Sequence, residues 1–463
     1  MSCSLRVVRS FVCLMLLTLV APDSARGAQP PKHDWQVGSA VAKITPTEPV
    51  LMAGYAGRTK PSEGVALDLY AKALAIKPVE GDAIVIVTCD LIGIPRALRE
   101  AVAAEVKQKH ALEPHQLLLN ASHTHCGPQF RVSTDPPPAD ETDDARKARL
   151  LGERYVKTFV ELVGKALADC RPAKLAYSHA RCGFAMNRRT PTEKGYQNNP
   201  WSEGPVDHDV PVLKVSNVDD GKLRAVLFGY ACHNTTIGFL QFCGDYAGYA
   251  QQHLEQKFPG ATAHFLTGCG GDQNPYPRGE LELARHHGRT LGIAVEAALG
   301  SKPQLDVVGR TRGALETTTL EFAPPPPKEK LELLAKTPGQ EGKHAQRLLD
   351  QLAKDGKIDT KYDVPVQALQ LSDALTIVAL PGESVIDYAL RTKREYAAPG
   401  KHVWVAAYSN DVFGYIPSRR VLEEGGYEAG GAMLYGRFPG PFAVDVEERL
   451  MRAVKSVVDQ VRK

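Results

Sequence analysis

The alternation of short β-branched apolar runs with long amphipathic segments constrains the fold of this chain more than any other feature. The run at residues 83–89 (AIVIVTC) ends at Asp90, as a buried strand does, and residues 95–112 then show the periodicity of a helix. Further strands are predicted at residues 117–120, 174–181, 211–215, 223–231, 263–266, 366–371, 374–380 and 402–407. Further helices are predicted at residues 144–170, 246–258, 281–299, 384–396 and 444–462. Strands interleaved with helices in this way predict an α/β domain.

The composition indicates a folded globular protein and argues against nucleic acid as a partner. Apolar residues make up 43% of the 463 residues, which is enough for a sizeable core. The net charge is only +3, and no cluster of lysines and arginines is interleaved with aromatic residues. Nucleic-acid-binding proteins usually show such a basic patch, so no nucleic acid is expected as a ligand.

The first 28 residues have the pattern of a secretory signal peptide. Arg6 and Arg9 precede an apolar run at residues 11–21, and small residues follow up to Gly27. The run is shorter than the ~20 apolar residues that span a bilayer, which argues against the alternative of an uncleaved membrane anchor. No later segment is long and apolar enough to span. We therefore expect an exported protein, periplasmic or secreted, with no transmembrane segment once the signal is removed.

The cysteines do not form a metal-binding or redox motif. Two of the nine, Cys3 and Cys13, lie in the predicted signal, and no pair among the others has CxxC spacing. Cys170 and Cys182 flank a predicted strand, so a disulfide between them is one interpretation. The remaining cysteines are expected to be small buried residues.

A proline-rich stretch interrupts the α/β pattern at residues 323–357. It begins with four consecutive prolines at residues 324–327 and continues with charged residues that favour helices. We therefore predict a linker and a helical excursion on the surface of one large domain, residues 29–463.

Histidines follow two of the predicted strands directly. His123 and His125 come after the strand at residues 117–120, and in an extended segment residues i and i+2 point to the same side. His233 comes after the strand at residues 223–231. Neutral imidazole is a good zinc ligand, but a hydrogen-bonded surface histidine explains each position as well. The histidines alone leave both interpretations open.

Three other motifs also lie just past predicted strands. Three glycines within residues 268–271 suit a tight turn, and Asp272 and Asn274 project polar groups after it. Glu383 lies between a strand and a helix, where an ordinary first-turn glutamate is the simpler explanation. Tyr415 follows a third strand. In open α/β sheets, ligand sites gather at the carboxyl ends of the strands, so one shared site is expected.

In this order the motifs resemble those of the neutral/alkaline, non-lysosomal ceramidase family. The resemblance extends from about Val37 to the C-terminus, and its His-Thr-His and Gly-Asp blocks are the specific ones. The matching positions are VGSAVAKITP at 37–46, MAGY at 52–55, HTH at 123–125, NR at 187–188, NP at 199–200, His233, GD at 271–272, PGE at 381–383, ND at 410–411, Tyr415 and YE at 427–428.

The resemblance implies a role for each matching residue and an overall plan. One zinc ion would be held by His123, His233, Glu383 and Tyr415. His125 would contact the scissile carbonyl or the attacking water, and Tyr427 would lie close to the reacting centre. Arg188 would bind the acyl or carboxylate side of the substrate, with Asp272 as a second substrate-binding residue. The expected fold is a single large catalytic domain of stacked mixed β-sheets flanked by helices.

The sequence departs from the family at one catalytic position. Two residues after the Gly-Asp aspartate the family has a serine proposed as essential, and this chain has Asn274. An amide cannot act as a serine nucleophile, so a covalent acyl-enzyme at this position is excluded, although Asn274 could donate a hydrogen bond to an oxyanion. The family's C-terminal β-sandwich is also not expected after the last predicted helix.

The leading hypothesis is a zinc-dependent hydrolase that cleaves an amide bond by attack of metal-bound water. The substrate would be a small-molecule or lipid amide, such as ceramide or a related N-acyl compound. Two alternatives stay open at this point. One is a non-catalytic member of the family that acts as a binding protein, and the other is an esterase or lactonase that uses the same metal site.

Overall fold

The structure is a computed structural model that describes residues 1–2, 35–79, 81–133, 136–138, 140–436 and 438–463. Residues 3–28 of the predicted signal peptide lie outside the described residues. The strands are β1 (Trp35–Lys43), β2 (Gly64–Val65), β3 (Tyr70–Pro78), β4 (Ile84–Cys89), β5 (Leu117–Ala121), β6 (Arg171–Arg181), β7 (Ala185–Thr192), β8 (Gly195–Trp201), β9 (Asp209–Asn217), β10 (Leu223–Tyr230), β11 (Gln241–Phe242), β12 (Thr262–Thr267), β13 (Gln273–Pro275), β14 (Leu305–Val307), β15 (Arg312–Glu321), β16 (Lys361–Ser372), β17 (Leu375–Ala379), β18 (Glu383–Ser384), β19 (His402–Ala406) and β20 (Tyr415–Ile416). The α-helices are α1 (Arg96–His110), α2 (Asp143–Ala168), α3 (Asp245–Lys257), α4 (Leu281–Gly300), α5 (Lys328–Leu334), α6 (Gln340–Asp355), α7 (Ile386–Tyr396), α8 (Arg419–Glu424) and α9 (Val446–Arg462).

Two mixed sheets form the centre of the fold. The larger sheet has the strand order β12-β10-β9-β6-β1-β3-β4-β5, with β14 paired to β6, and the smaller has the order β15-β16-β17-β19. Within them β4 and β5, β10 and β12, and β17 and β19 run parallel, while their other pairings are antiparallel. Parallel strands end at the same edge of a sheet, so the residues after β10 and after β12 are brought into one region.

The two sheets stack face to face and are covered by helices on their outer faces. Leu74, Ile86 and Leu227 of the larger sheet pack against Ile377 and Trp404 of the smaller, and all are fully buried or nearly so. Each fully buried side chain of this kind contributes about 1.5–3 kcal/mol to folding. Helices α1 to α4 cover the larger sheet, and α7 and α9 cover the smaller. The predicted fold, stacked mixed sheets flanked by helices in a single domain, is confirmed.

The larger sheet curves until its two edge strands meet. The side chain of Asn120, on edge strand β5, accepts a hydrogen bond from the backbone N–H of Thr267 on edge strand β12 at 2.9 Å. The same amide donates to the carbonyl of Ala407, just past β19 in the smaller sheet, at 2.6 Å. One buried asparagine thus holds together three strand ends that border the candidate site.

Two expectations need correction. The helix predicted from residue 384 begins at Ile386, because Glu383 and Ser384 form strand β18 beside β20. Cys170 and Cys182 are free thiols. The eleven residues of β6 separate them, so they are twelve residue steps apart, which at about 3.3 Å per step is roughly 40 Å, far beyond the reach of a disulfide.

Residues 323–357 include two helices that pack on each other. Leu331 of α5 and Ala345 and Leu348 of α6 form a small buried cluster of their own. Across the described residues, no helix combines the length and the apolar character needed to cross a membrane.

Candidate metal centre and active site

Two histidines of the His-Thr-His motif converge on one point. His123 lies past the end of β5 with a positive φ of 60°, so the segment is not extended, as the sequence had suggested, but turns. Its Nδ1 lies 2.6 Å from the carbonyl oxygen of Ile92, which can only accept, so this nitrogen holds the proton. The Nε2 atoms of His123 and His125 lie 3.1 Å apart. The turn therefore directs both lone-pair nitrogens to the same place.

His233 reaches this place from the end of β10, and the glycine turn after β12 makes this possible. Its Nδ1 donates to the carbonyl of Gly270 at 2.6 Å, which leaves Nε2 as an acceptor. A Cβ at Gly270 would lie 2.8 Å from the carbonyl carbon of Cys232, and a Cβ at Gly271 would lie 2.4 Å from the carbonyl oxygen of Glu383. The glycines predicted to allow a close backbone approach thus bring the strand ends bearing His233 and Glu383 together.

Glu383 and Tyr415 enter the site side by side on paired strands. They are register partners in the parallel pair β18 and β20. Oε2 of Glu383 lies 3.2 Å from Nε2 of both His123 and His233, and the Tyr415 hydroxyl lies 3.1 Å from Nε2 of His233. Oε2 of Glu383 is buried and has no hydrogen-bond partner among the described residues. Buried polar atoms are seldom left unpaired, so this oxygen indicates a missing ligand.

The protonation states suit a cation at the centre. Burial, aided by the charge of Arg188, lowers the pKa of His233 to about 4. Burial and the neighbouring His123 hold the pKa of His125 well below its usual range. Burial on its own would raise the pKa of Glu383, but the contacts with His123 and His233 hold it well below its usual range. Two neutral imidazoles and a carboxylate thus meet near neutral pH.

These atoms fit a divalent metal ion. Zinc binds histidine nitrogen and carboxylate oxygen at about 2.0–2.2 Å in tetrahedral geometry, which places ligand atoms roughly 3.4 Å apart. Distances of 3.1–3.2 Å between neighbouring donor atoms are close to that value. The imidazole nitrogens of His123, His125 and His233 all lie within 4.8 Å of one another. The predicted ligands His123, His233, Glu383 and Tyr415 are therefore adjacent, with His125 beside them.

Arg188 lies behind the metal centre with its donors engaged. Its Nε donates to Glu428 at 2.8 Å, and one terminal nitrogen donates to the Tyr415 hydroxyl at 2.9 Å. Burial works against its charge, but Tyr415 and Glu428 together raise the pKa of Arg188 well above its usual value. Arg188 is only 4% exposed, so it positions Tyr415 in this structure, and its predicted contact with substrate stays a prediction.

Asn274 is also close, with its amide oriented by the arginine. An NH₂ group of Arg188 lies 3.3 Å from Oδ1 of Asn274, and because guanidinium only donates, the oxygen must face it. The amide nitrogen then points toward Asn198 and Tyr276, at 3.5 and 3.4 Å. Donation to an oxyanion at the metal would require the amide to rotate, so that role stays a prediction.

Tyr427 and Asp272 occupy very different positions. Tyr427 is 40% exposed, and its ring centroid lies 5.4 Å from that of Tyr415, as expected for a residue close to the reacting centre. Asp272 is completely buried, and its oxygens accept hydrogen bonds from the backbone of Ile386 and the side chain of Asn187. This geometry places Asp272 in the scaffold under α7 and gives no support to its predicted contact with substrate.

Sequence reasoning gave no role to two residues that hold the site together. Asn120 opens the His-Thr-His motif, and Glu428 follows Tyr427 in the family match. The carboxylate of Glu428 is 3% exposed and binds both Arg188 and Arg189, at 2.8 and 2.6 Å. The available signal in the sequence was a polar side chain, Asn120 or Glu428, among apolar neighbours. The sequence could not show what these side chains bind, because their partners lie far away along the chain.

Two cavities meet at the metal centre. Glu383, Phe413 and Gly414 line both. The larger, of about 530 Å³, is also lined by Ala53, Ile92, Gly93, Pro95, His123, Gln129, Phe130, Arg131, Ala148 and Val412. The smaller, of about 230 Å³, is also lined by Tyr415, Tyr427, Ala432, Met433, Tyr435, Gly436 and Phe438. Both are mainly apolar and aromatic away from the donor atoms.

Comparisons with known proteins give the family and the fold of this chain. Residues 35–275, just over half of the chain, match the family described as neutral/alkaline non-lysosomal ceramidase, N-terminal. A search of curated proteins gives no significant match. The fold is similar to the crystal structure of neutral ceramidase from Pseudomonas aeruginosa, with 18% identity and a TM-score of 0.69 over 93% of this chain and 74% of that one. It is also similar to a ceramidase complexed with C2, with 19% identity and a TM-score of 0.67 over 93% and 75% of the two chains. The chain belongs to the neutral/alkaline non-lysosomal ceramidase family.

Proposed function

We propose that this protein is a zinc-dependent amidohydrolase that cleaves the amide bond of an N-acylated lipid such as ceramide. Membership of a ceramidase family supports a hydrolase. The observation that carries the finer proposal is the unpartnered oxygen of Glu383, 3.2 Å from Nε2 of both His123 and His233 at the meeting point of two mainly apolar cavities.

His123, His233, Glu383 and Tyr415 would hold the metal. When bound, zinc supplies Lewis-acid chemistry that polarises a carbonyl and activates water near neutral pH. Arg188 keeps the Tyr415 hydroxyl turned toward the centre, and Glu428 keeps Arg188 in place. The burial of these charged groups excludes bulk water and strengthens their interactions.

His125 is the best placed general acid–base residue. Its Nε2 lies at the centre, and its Nδ1 is buried without a hydrogen-bond partner among the described residues. A neutral imidazole there can accept the proton of the attacking water and pass it to the amine that leaves. The Tyr427 hydroxyl, at the mouth of the site, is available to the developing oxyanion.

The two cavities correspond to the two arms of an amide. A secondary amide extends in two directions from its carbonyl carbon and its nitrogen, and two cavities share Glu383, Phe413 and Gly414 but otherwise have different linings. Phe130 and Val412 line one cavity and Met433 and Phe438 the other, so apolar chains fit both. A lipid amide is therefore the substrate class that the site supports best.

Direct attack by water is the mechanism that this chain allows. Asn274 has no nucleophilic hydroxyl, and its oxygen is already engaged by Arg188 and Thr235. The reaction would thus proceed without a covalent acyl-enzyme. Export of the protein also remains part of the proposal, and it rests on the signal pattern of residues 1–28.

Elemental analysis and a substrate panel test the proposal. The purified protein should contain about one zinc per chain, and His233→Ala should lose it, whereas His286→Ala, at an exposed position, should retain it. Ceramide and shorter N-acyl amines should be hydrolysed in preference to esters of the same chains. Full zinc content in His233→Ala would show that His233 is not a zinc ligand. Hydrolysis of esters alone would show that the protein is an esterase and not an amidase.

A further inference from the structure

The smaller cavity is bounded by a glycine-rich segment that contains one short 3-10 helix, Gly431–Tyr435. Residues 430–436 and 438–440, the glycine-rich wall, supply half of its lining and include Gly430, Gly431, Gly436 and Gly440. Glycine gives a backbone more conformational freedom than any other residue, so contacts from a neighbouring element add to the order that the wall's own helical turn provides.

That support comes from helix α6 of the proline-rich excursion. Nε2 of His344 donates to the carbonyl of Phe438 at 2.6 Å. The guanidinium of Arg347, one turn further along the helix, donates to the carbonyls of Leu434 and Gly436 at 2.5 and 3.2 Å. Carbonyls at alternate positions along the wall are thus held by two side chains on the same face of one helix.

The two contacts differ in burial, and together they hold the wall on its outer side. His344 is 7% exposed, whereas Arg347 is exposed. The ring of Phe438 is packed independently against Phe322 and Tyr362, with centroids 5.1 and 5.0 Å away. Phe438 is therefore fixed through its ring by an aromatic cluster and through its carbonyl by His344.

Helix α6 has its own anchor. Leu331 of α5 packs with Ala345 and Leu348 of α6 in a buried cluster separate from the main cores. Neither His344 nor Arg347 contacts a proposed metal ligand. The helical hairpin can therefore act on the cavity without acting on the chemistry.

We propose that His344 and Arg347 are specificity-determining positioning residues, which set the shape of the smaller cavity through the glycine-rich wall. The inference rests on the proposed function, because it assigns one arm of the amide substrate to that cavity. Loosening the wall should weaken the binding of substrates whose arm fills the smaller cavity. It should leave the metal centre and the rate of bond cleavage unchanged.

The test compares the double variant His344→Ala/Arg347→Ala with Lys343→Ala, a charge-removing control at an exposed position of the same helix. Hydrogen exchange at the backbone amides of Met433 and Gly436 should be about 10- to 100-fold faster in the double variant, the range expected for one or two lost charge-assisted hydrogen bonds. The zinc content should equal that of the wild type.

Kinetics provide the second readout. We expect KM to rise by roughly tenfold for substrates with one long arm and to stay unchanged for those in which that arm is shortened, with kcat constant throughout. His344→Gln and Arg347→Lys, which keep a donor, should restore most of the selectivity. Equal exchange rates and an equal chain-length profile in the double variant and the wild type would overturn the proposal.

The design separates this proposal from the proposed function. If the wild type hydrolyses no amide, the proposed function fails, and equilibrium binding of the same intact amides replaces KM as the test of the wall. Thermal melts monitored by circular dichroism identify a folding defect. If the double variant does not fold, the single variant His344→Ala undergoes the same measurements, with the same result required.

Discussion

The candidate metal centre and the glycine-rich wall both line the smaller cavity, and they are held in place by different means. At the candidate metal centre, the imidazoles of His123 and His233 are fixed by the carbonyls of Ile92 and Gly270, which lie just past the buried strands β4 and β12. The glycine-rich wall is fixed by side chains of α6, one of them exposed. The candidate metal centre is therefore part of the core, whereas the glycine-rich wall is held by contacts with a helix outside the core.

This difference has a consequence for how each region can change. A substitution near a strand end disturbs the packing of both sheets, so the donor atoms can move only if the core moves. A substitution on α6 removes a few hydrogen bonds at the surface, which costs little of the global stability. We infer that substrate selectivity in this protein can vary while the metal centre stays constant.

The largest effect is expected when the metal centre loses its carboxylate. Glu383→Gln keeps the shape of the side chain but replaces the anionic ligand by a neutral amide. We expect zinc to be lost and amide turnover to fall by roughly 10³ or more, because a bound metal provides several kcal/mol of transition-state stabilisation. Metal analysis and steady-state kinetics measure this, with the exposed Glu423→Gln as control. Retention of both zinc and turnover would contradict the assignment of this centre.

The next effect separates catalysis from metal binding within the centre. His125→Ala should lower kcat by about 10²–10⁴, the range for the loss of a general acid–base group. Zinc should stay bound, because the four proposed ligands are untouched. Loss of the metal in this variant would instead make His125 a ligand, consistent with its position among the clustered imidazoles.

A pair of glycine substitutions compares the two regions directly. A Cβ at Gly271 would lie 2.4 Å from the backbone oxygen of Glu383, so Gly271→Ala should lower the free energy of unfolding by about 1–3 kcal/mol. At Gly436 the nearest atom would be 3.7 Å away and φ is −108°, so alanine fits. Gly436→Ala should leave stability unchanged or raise it by up to about 1 kcal/mol. Urea unfolding measures the free energy of unfolding of both variants. Equal losses in the two variants would contradict the proposed difference between the two regions.

The smallest effect is expected at Asn274. Serine retains an acceptor near Arg188 but loses the amide group, so Asn274→Ser should change amide turnover by no more than roughly tenfold, the value of about one hydrogen bond. A large gain on ceramide would show instead that the natural protein has drifted from a ceramidase. Mass spectrometry of the wild type with substrate should detect no acyl-enzyme, and a trapped adduct would refute direct attack by water.

Much of the fold could be predicted because apolar periodicity reports burial directly. Strand β4 and helices α2 and α4 begin and end within three residues of the predicted limits. Strand β3 was missed because one of its two buried faces is built of alanines, Ala71, Ala73 and Ala75, which carry little β-strand signal. Strand β15 was missed because its threonines and glutamates are half exposed on an outer sheet.

The sequence by itself determined the strand ends that bear His123, His233 and Glu383, since a histidine or glutamate that directly follows a buried strand is recognisable locally. Only the tertiary structure decided that Oε2 of Glu383 lies 3.2 Å from Nε2 of each of these histidines. Those distances depend on pairings across long separations, such as β18 with β20 and Asn120 with Thr267. The proline-rich excursion is a second example. Its helical character could be predicted from the sequence, but its hydrogen bonds to the glycine-rich wall could not. Local periodicity encodes which side of a helix or strand is buried. Which distant element packs against that side is decided by the packing of the whole domain.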